Sequence, residues 1–446
     1  MNYVSTRGAA PVLPFADVLL EGLARDGGLY VPDSMPSLPT ELPDAYADLA
    51  SAVMAPFVDG FPDFDALVAD AYATFDDPEV VPLRQVGAGR FVQELWHGPT
   101  LAFKDIALQL VGRLMDAELQ RRGDRRTIVV ATSGDTGAAA IAACVGRSTL
   151  DIVVLHPAGR VSDVQRRQMT TVDEPNVHNV AVEGTFDDCQ DLVKALFADI
   201  ELRDELRLGA MNSINWGRVL AQIPYYVDAA RRVGRCDVVV PSGNFGNILA
   251  GWYARRMGAP IERLVLASNR NDILARWVQT GSLVTEEVVP TLSPSMDIQV
   301  SSNHERLLFE LLDRDGEATA ELLRRFRDLG AVEAPRSPEF LAATVDDDET
   351  IEEIAAVATR HGYVVDPHTA VGLRAGAKLG VLGADRPVVC LSTAHPAKFP
   401  DAVERATGTQ PAQPPRLAGL VDLREQFAVL SADLATLKAH VRACVP

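Results

Sequence analysis

From about residue 88 onward, the chain repeats one arrangement of apolar and polar positions. A short run of β-branched apolar residues is followed by a loop containing Gly or Ser, and then by a segment with the spacing of an amphipathic helix. The clearest apolar runs predict strands over 127–131, 152–155, 177–182, 237–240, 264–267 and 387–391. Strands that alternate with helices predict an α/β fold, in which a mostly parallel sheet is covered by helices on both faces.

The first 86 residues depart from this arrangement. They are rich in Ala, Asp and Pro, show helical spacing, and close with the stretch from Pro78 to Pro82. We therefore predict a small, mainly helical amino-terminal domain over 1–86. The rest of the chain, 87–446, is predicted to form two parallel-sheet units, at about 87–215 and 216–446. The second unit is predicted to contain a helical insertion at about 270–350, with an acidic helical stretch at 305–328.

Composition and charge narrow the class of protein. With 446 residues, of which 47% are hydrophobic and 23% charged, the chain is globular rather than intrinsically disordered. Its formal net charge of −19 repels phosphate groups, so we expect neither nucleic acid nor an anionic membrane as a partner. The five cysteines are dispersed, with no C-x-x-C pair, which indicates neither a disulfide framework nor a thiolate metal site. We find no leader or membrane-spanning pattern and expect a cytoplasmic protein.

Two loops at predicted strand ends have residues suited to anions. The loop 242–247, Ser-Gly-Asn-Phe-Gly-Asn, opens a helix, where main-chain N–H groups and the helix dipole favour a phosphate. The loop 132–137, Thr-Ser-Gly-Asp-Thr-Gly, also opens a helix and is suited to a carboxylate. A turn without a ligand remains open for the first loop, as does simple helix capping by Asp135 or Thr136 for the second. Together, the loops predict a ligand with a phosphate and a carboxylate.

Lys104 lies at the start of a predicted helix, where a cation opposes the helix dipole. The dipole contributes roughly 0.3–1 kcal/mol, which is less than the roughly 1.36 kcal/mol of one pKa unit. Full activation of the amine would therefore also need desolvation. Neutral lysine is the species that forms imines with carbonyl groups. A solvent-facing lysine is the alternative interpretation of this position.

Two further segments are candidates for ligand binding. In the stretch 211–218, Arg218 is suited to bidentate binding of a phosphate, with Ser213 and Asn215 as neighbouring donors. In the stretch 391–399, Thr393 follows a predicted strand and is placed to contact a ring bound at the sheet edge. We interpret His395, in the same stretch, as structural.

Three stretches, taken in order, resemble threonine synthase, a pyridoxal-phosphate enzyme family with the fold of the tryptophan synthase β-subunit. They are 97–105, His-Gly-Pro-Thr-Leu-Ala-Phe-Lys-Asp, then 133–137, and then 242–247. Stretches that extend the resemblance along nearly the whole chain lie at 5–8, 22–29, 292–298, 366–370 and 393–399. The resemblance implies two α/β units of that fold and pyridoxal 5′-phosphate as cofactor.

The resemblance also implies a role for individual residues. Lys104 would attach the cofactor covalently, Asp135 would lie near the pyridoxal 3′-oxygen at a position that is Asn in related subgroups, and Thr393 would meet the pyridine nitrogen. The residues implied to bind the cofactor phosphate are Gly243, Asn244, Phe245, Gly246 and Asn247. Those implied to bind the substrate are Ser133, Gly134 and Thr136 at its carboxylate, and Ser213, Asn215 and Arg218 at its phosphate.

By the same resemblance, the substrate is O-phospho-L-homoserine and the products are L-threonine and phosphate, in the last step of threonine biosynthesis. The reaction is a γ-elimination of phosphate followed by β-addition of water. One alternative is a phospho-lyase of the same fold that releases 2-oxobutyrate. Another is a catalytically silent homologue that only binds the cofactor.

Overall fold

The computed structural model describes residues 1–382 and 386–445. Its strands are β1 (Asn2–Ser5), β2 (Leu13–Pro14), β3 (Tyr30–Pro32), β4 (Leu83–Gly87), β5 (Arg90–Glu94), β6 (Arg126–Ala131), β7 (Leu150–Pro157), β8 (Val177–Glu183), β9 (Leu208–Gly209), β10 (Cys236–Pro241), β11 (Ile261–Ser268), β12 (Ser282–Val284), β13 (Ala331–Glu333), β14 (Phe340–Thr344), β15 (Val388–Ser392) and β16 (Ala428–Ser431). Its helices are α1 (Phe15–Glu21), α2 (Tyr46–Val58), α3 (Phe64–Tyr72), α4 (Lys104–Arg122), α5 (Asp135–Cys144), α6 (Asp163–Thr170), α7 (Phe186–Ala198), α8 (Ile200–Glu205), α9 (Trp216–Leu220), α10 (Ile223–Val233), α11 (Gly246–Arg256), α12 (Ile273–Thr280), α13 (His304–Leu311), α14 (Gly316–Leu329), α15 (Asp347–His361), α16 (Pro367–Lys378), α17 (Pro400–Thr407) and α18 (Leu434–Cys444).

Two sheets carry the α/β architecture. The larger has six strands in the order β14-β11-β10-β15-β5-β4, and only the β4–β5 pair at one edge is antiparallel. The second has five parallel strands in the order β16-β8-β7-β6-β9. Each of the six predicted strands is present, because β-branched runs form buried strands in parallel sheets. The predicted α/β fold class is confirmed.

The strand pairing does not follow the expected division near residue 215. Strands β4 and β5 precede that point yet pair in the six-stranded sheet, whereas β16 follows it and pairs in the five-stranded sheet. Helix α18 packs beside β16 and α7 in that second unit. Parallel pairing needs a long crossover connection, so sequence proximity does not determine the sheet that a strand joins.

The amino-terminal region is less helical than its apolar spacing suggests. Helices α1, α2 and α3 are accompanied by an antiparallel sheet in the order β2-β1-β3. These strands are only two to four residues long, too short for an alternating pattern to stand out.

The segment predicted as a helical insertion also contains sheet. Its β14 forms an edge of the six-stranded sheet, in parallel register with β11. The stretch 305–328 is divided between two helices, α13 and α14, by Asp313 and Arg314, which have φ values of 55° and 63°. Two successive left-handed residues end an α-helix, whatever the acidic character of the sequence around them.

The amino-terminal region helps to position the rest of the fold through Trp216. This buried side chain at the start of α9 contacts the rings of Tyr3, Phe57 and Tyr253. Its indole N–H donates to the Tyr3 hydroxyl at 3.0 Å. Helix α9 is thereby fixed between the amino-terminal region and α11. In the part of the chain that the structure describes, no helix combines the length and apolarity needed to cross a membrane.

Candidate active site

A buried cluster of charges lies among the loops that follow β5, β6 and β15. It consists of Lys104, Asp135 and Lys398. The Asp135 carboxylate accepts from Lys398 Nζ at 2.7 Å through Oδ1, and its Oδ2 lies 3.5 Å from Lys104 Nζ. The Lys398 side chain is fully buried, and that of Lys104 is 11% exposed. One carboxylate thus faces two ammonium groups in a site from which water is largely excluded.

The turn before α4 fixes the position of Lys104. The carboxylate of Asp105 accepts from the N–H and the hydroxyl of Thr100, at 2.7 and 2.8 Å. The N–H of Phe103 donates to the carbonyl of Thr393 at 2.9 Å, which joins this turn to the end of β15. Burial raises the pKa of Asp105 to about 6, with the Thr100 hydrogen bonds acting in the opposite direction.

The charges of the cluster alter one another's protonation. Burial lowers the pKa of the Lys104 amine, Asp135 opposes that shift, and the cations Lys398 and Arg218 add to it. Burial acts to raise the pKa of Asp135, but Lys398 and Lys104 outweigh it and hold that pKa well below its ordinary value. Asp135 is therefore the anion of the cluster, and Lys104 is biased towards the neutral amine.

The loop 132–137 is held by its own side chains. The hydroxyl of Thr132 accepts from the N–H groups of Gly134 and Gly137, at 3.0 and 2.9 Å. Gly134 has a φ of 143°, a conformation open to glycine, and faces the Gln165 side chain that donates to Asp135 at 2.8 Å. Ser133 is half-buried, and its hydroxyl makes no hydrogen bond within the described residues. The same is true of the hydroxyl of Thr136, so both are available to a ligand.

The loop 242–247 presents main-chain groups instead. In the described part of the chain, the N–H groups of 243–247 have no protein acceptor, and α11 has no side-chain cap. Phe245, buried at 1% exposure, has a φ of 62° and turns the chain into the helix. The buried Ser242 Oγ and Asn247 Nδ2 have no partner among the described residues. Free donors at the start of an 11-residue helix form an anion site.

A hydrogen-bonded segment connects this loop to the stretch that contains Ser213. The Ser301 hydroxyl donates to the carbonyl of Gly243 at 3.0 Å, and the Asn303 N–H donates to that of Asn244 at 3.2 Å. The Asn303 amide in turn donates to the carbonyl of Ser213 at 2.9 Å. The segments predicted to bind the cofactor phosphate and the substrate phosphate are therefore hydrogen-bonded to the same stretch of chain, which contains Ser301 and Asn303.

Arg218 and Asn215 have different surroundings. Arg218 is 4% exposed, donates to the Met211 carbonyl at 3.0 Å, and keeps a buried Nε without a partner among the described residues. Burial lowers the pKa of its guanidinium to about 10. The Asn215 side chain accepts from the Gly217 N–H at 2.9 Å and donates to the carbonyls of Leu19 and Ala210. Asn215 is thus the N-cap of α9, and its hydrogen-bonding groups are used within the protein.

Comparison with known proteins decides the family. A profile of pyridoxal-phosphate dependent enzymes matches residues 79–394, and profiles of the threonine synthase N terminus and C-terminal region match 2–72 and 369–441. Threonine synthase of Pseudomonas aeruginosa is 50% identical to this chain, over 99% of this chain and 98% of that protein. The chain belongs to the threonine synthase family. It is a pyridoxal-phosphate dependent enzyme, as the resemblance implied.

Solved threonine synthase structures share the whole fold. The crystal structure of PLP-bound threonine synthase from Brucella melitensis is 48% identical, with a TM-score of 0.95 over 100% of this chain and 99% of that one. The threonine synthase from Escherichia coli is 32% identical, with a TM-score of 0.85 over 99% of this chain and 100% of that one. The architecture is therefore that of a threonine synthase along its full length.

The residues present fit pyridoxal phosphate. The 242–247 loop offers unpaired donors for a phosphate, and Gly243 leaves no space for a side chain, since a Cβ there would lie 2.8 Å from the carbonyl oxygen of Ser295. Lys104 offers an amine whose pKa is lowered by burial, as imine formation requires. Thr393, at 6% exposure, follows β15 and makes no side-chain hydrogen bond within the described residues. These are the groups needed for a phosphate, an aldehyde and a ring.

Lys398 is the charged residue of this threonine synthase site that the sequence interpretation missed. It lies in the stretch 393–399 that contributes to the family resemblance, between Ala397 and Phe399. Lysines are seldom fully buried unless they are paired, so the two apolar neighbours of Lys398 did not indicate its place in the site. His395, in the same stretch, accepts from the Ala397 N–H at 3.1 Å and packs against Trp96, which supports its structural interpretation.

Proposed function

We propose that this enzyme converts O-phospho-L-homoserine and water to L-threonine and phosphate. The proposal rests on the buried Lys104, which lies between two loops suited to anions and whose amine has a pKa lowered by burial. Family membership supports the same reaction. The substrate has a carboxylate, an amine and a phosphate, and the site offers separate polar groups for each.

In this proposal, the cofactor is held by groups from several loops. Lys104 attaches it, and the main-chain donors of 243–247, from Gly243 to Asn247, bind its phosphate. Asp135 meets the 3′-oxygen of the ring, and the Thr393 hydroxyl meets the ring nitrogen. A hydroxyl holds a proton on that nitrogen less firmly than a carboxylate does, which tempers electron withdrawal and disfavours transamination.

The substrate is oriented at its two anionic ends. The hydroxyls of Ser133 and Thr136 bind the carboxylate, and Gly134, whose N–H is held by Thr132, gives the backbone between them the turn that this site needs. Arg218 and Ser213 bind the phosphate, with the unpaired Arg218 Nε as a charge-assisted donor. Asn215 contributes by fixing the start of α9, which positions Arg218.

The chemistry requires a proton to move between carbon atoms. Pyridoxal phosphate, when bound, supplies an electron sink for the pair left behind when a proton leaves the carbon next to the amino group. The Lys104 amine takes that proton and a second one from the β-carbon as phosphate leaves. It then returns protons to the γ-carbon, which becomes the methyl group of threonine, and to the α-carbon. Phosphate departs from the γ-carbon while Arg218 neutralises its charge, and water adds at the β-carbon.

Two measurements test the proposal. The purified protein should show a visible cofactor band that borohydride converts into a stable adduct on Lys104, and Lys104→Ala should lack that adduct. With O-phospho-L-homoserine, threonine and phosphate should appear in equal amounts. Release of 2-oxobutyrate in place of threonine would identify a phospho-lyase, and a bound cofactor without turnover would identify a silent homologue. Either result would refute the proposed reaction.

A further inference from the structure

Lys398 makes contacts that set it apart from an ordinary structural ion pair. Its ammonium group donates to Asp135 Oδ1 at 2.7 Å and to the carbonyl of Thr100 at 2.8 Å. The side chain is fully buried, so its charge is stabilised only by these partners and the surrounding dipoles. Burying a second ammonium group beside Lys104 is unfavourable unless that group is paired, and its partner here is the same carboxylate that faces Lys104.

The carboxylate of Asp135 is shared unequally between the two lysines. Its Oδ1 takes the short contact from Lys398 and a hydrogen bond from Gln165 at 2.8 Å. Its Oδ2 has longer contacts, at 3.5 Å to both Lys104 Nζ and Ser295 Oγ. Lys104 is therefore the ammonium with the weaker support from the single anion.

Among the described residues, the charged groups that act most strongly on Lys104 lie on three neighbouring elements. Asp135 on α5 is the anion, whereas Lys398 after β15 and Arg218 on α9 are cations. On α4 itself, Asp105 is turned towards the Thr100 turn. Cations thus outnumber the anion around Lys104, and this excess of positive charge favours loss of a proton from the Lys104 amine.

We propose that Lys398 is a positioning residue that occupies Asp135 and thereby keeps the Lys104 amine neutral and ready to react with the cofactor. Without Lys398, the carboxylate would pair with Lys104 alone, and the amine would retain its proton to higher pH. The inference rests on Lys104 being the attachment residue of the proposed function. It adds a reason why this lysine, rather than Lys398, is the reactive one.

The test follows covalent attachment instead of turnover. The full chain, freed of cofactor, is mixed with pyridoxal phosphate across a pH series, and the adduct on Lys104 is trapped with borohydride and measured by mass spectrometry. In Lys398→Met, the pH profile of the attachment rate should move by at least about one unit to the alkaline side. At neutral pH, this shift means an attachment rate about tenfold lower.

Three variants complete the design. Lys398→Arg retains the cation and should restore most of the wild-type profile. Asp135→Asn removes the anion and should move the profile in the opposite direction, to lower pH. Lys438→Met removes a lysine that pairs with Asp199 outside the site, and should leave the profile unchanged.

Each outcome decides the point. An unshifted profile in Lys398→Met, even with a lower unfolding temperature, would overturn the proposal and leave Lys398 purely structural. Wild-type protein that traps no adduct on Lys104 would instead contradict the attachment assignment. If a variant unfolds without cofactor, the pH titration of the visible band in the loaded full chain replaces the rate measurement. The same alkaline shift is expected there, and its absence again overturns the proposal.

Discussion

The loops 132–137 and 242–247 have similar compositions, and both connect a parallel strand to a helix. They differ in the atoms that they offer to an anion. In the first, Thr132 ties down the main-chain N–H groups, and Asp135 is paired with buried cations. In the second, the N–H groups are unpaired among the described residues, and the loop carries no ionisable side chain. The first loop therefore depends on charge balance, whereas the second depends on the shape of the backbone.

The largest expected effect concerns the charge balance of the first loop. Asp135→Asn should lower the free energy of unfolding by about 3 kcal/mol, because loss of the carboxylate leaves the fully buried Lys398 ammonium without its charged partner. Urea unfolding at neutral pH measures this change. The matched variant in the second loop is Asn244→Ala, which should cost under about 1 kcal/mol. Within the described residues, the one hydrogen bond of the Asn244 side chain is that donated by the Ser302 hydroxyl to its oxygen at 3.5 Å. Equal losses would refute the contrast between the loops.

The same contrast has a pH dependence. The pKa of Asp135 in the folded protein lies well below the ordinary value near 3.8, because Lys398 and Lys104 outweigh the effect of burial. A lowered carboxyl pKa stabilises the fold fully above the unfolded value, and the contribution is lost as the pH falls below it. The stability difference between the wild type and Asp135→Asn should therefore shrink as the pH decreases below about 4. A difference that stays constant down to pH 2 would exclude this linkage.

The second effect in size concerns the shape of the second loop. Gly243→Ala places a Cβ 2.8 Å from the Ser295 carbonyl oxygen and 3.1 Å from Met296 Cα, which are main-chain atoms that cannot easily move. The loop can avoid this overpacking only by moving its N–H groups away from the phosphate position. Returning them to that position on binding costs about 2 kcal/mol, so the dissociation constant for pyridoxal phosphate should rise about thirtyfold. Gly246→Ala meets only the Asn303 side chain, at 3.2 Å, and should have a smaller effect. Equal effects of the two variants would show that backbone shape does not govern this loop.

The third prediction distinguishes the binding site of the substrate phosphate from that of the cofactor phosphate. Arg218→Ala should lower kcat/KM for O-phospho-L-homoserine by at least about tenfold, since a charge-assisted hydrogen bond contributes about 1.5–3 kcal/mol. Cofactor loading should stay intact, because the proposed site for the cofactor phosphate, the 242–247 loop, does not include this arginine. If Arg218 serves only to hold the Met211 carbonyl, thermal stability will fall, and phosphorylated and unphosphorylated amino acids will lose affinity equally.

The smallest expected effect concerns a hydroxyl of the first loop. Ser133→Ala should raise KM for the substrate about fivefold, because a neutral hydrogen-bond donor contributes about 1 kcal/mol. Steady-state kinetics give the value, and Thr185→Ala, which removes a surface helix cap at α7, is the control with unchanged KM. A larger change in kcat than in KM would place Ser133 at the reacting atoms instead of at the carboxylate.

Much of this architecture could be predicted because the responsible interactions are local. β10 and β6 are apolar runs, and Gly and Ser at their ends indicate the loops of the site. β14 was missed because Phe-Leu-Ala-Ala-Thr has weak strand propensity, and only its pairing with β11 makes it a strand. The capping role of Asn215 was equally hidden, since the carbonyl of Leu19 that it binds lies 196 positions away.

Lys398 shows the limit of sequence reasoning most clearly. Its partners Thr100 and Asp135 lie far from it along the chain, and the bridge between Ala102 and Ala394, beside the β5–β15 pair, holds the two segments together. No local pattern specifies such a meeting. The sequence could indicate that Lys104 needs desolvation, but the second cation required the assembled fold.

The parallel pairing of β5 with β15 also has a consequence for how the protein is made. Lys398 and Thr100 are separated by 298 positions along the chain, so the ammonium that faces Asp135 is synthesised long after Lys104. The amino-terminal region and four strands of the five-stranded sheet, β6 to β9, are synthesised before β15. A nascent chain that ends before residue 388 lacks the central strand between β10 and β5, and with it both Thr393 and Lys398. The catalytic site can therefore be assembled only late in translation, once β15 is available to pair between β10 and β5.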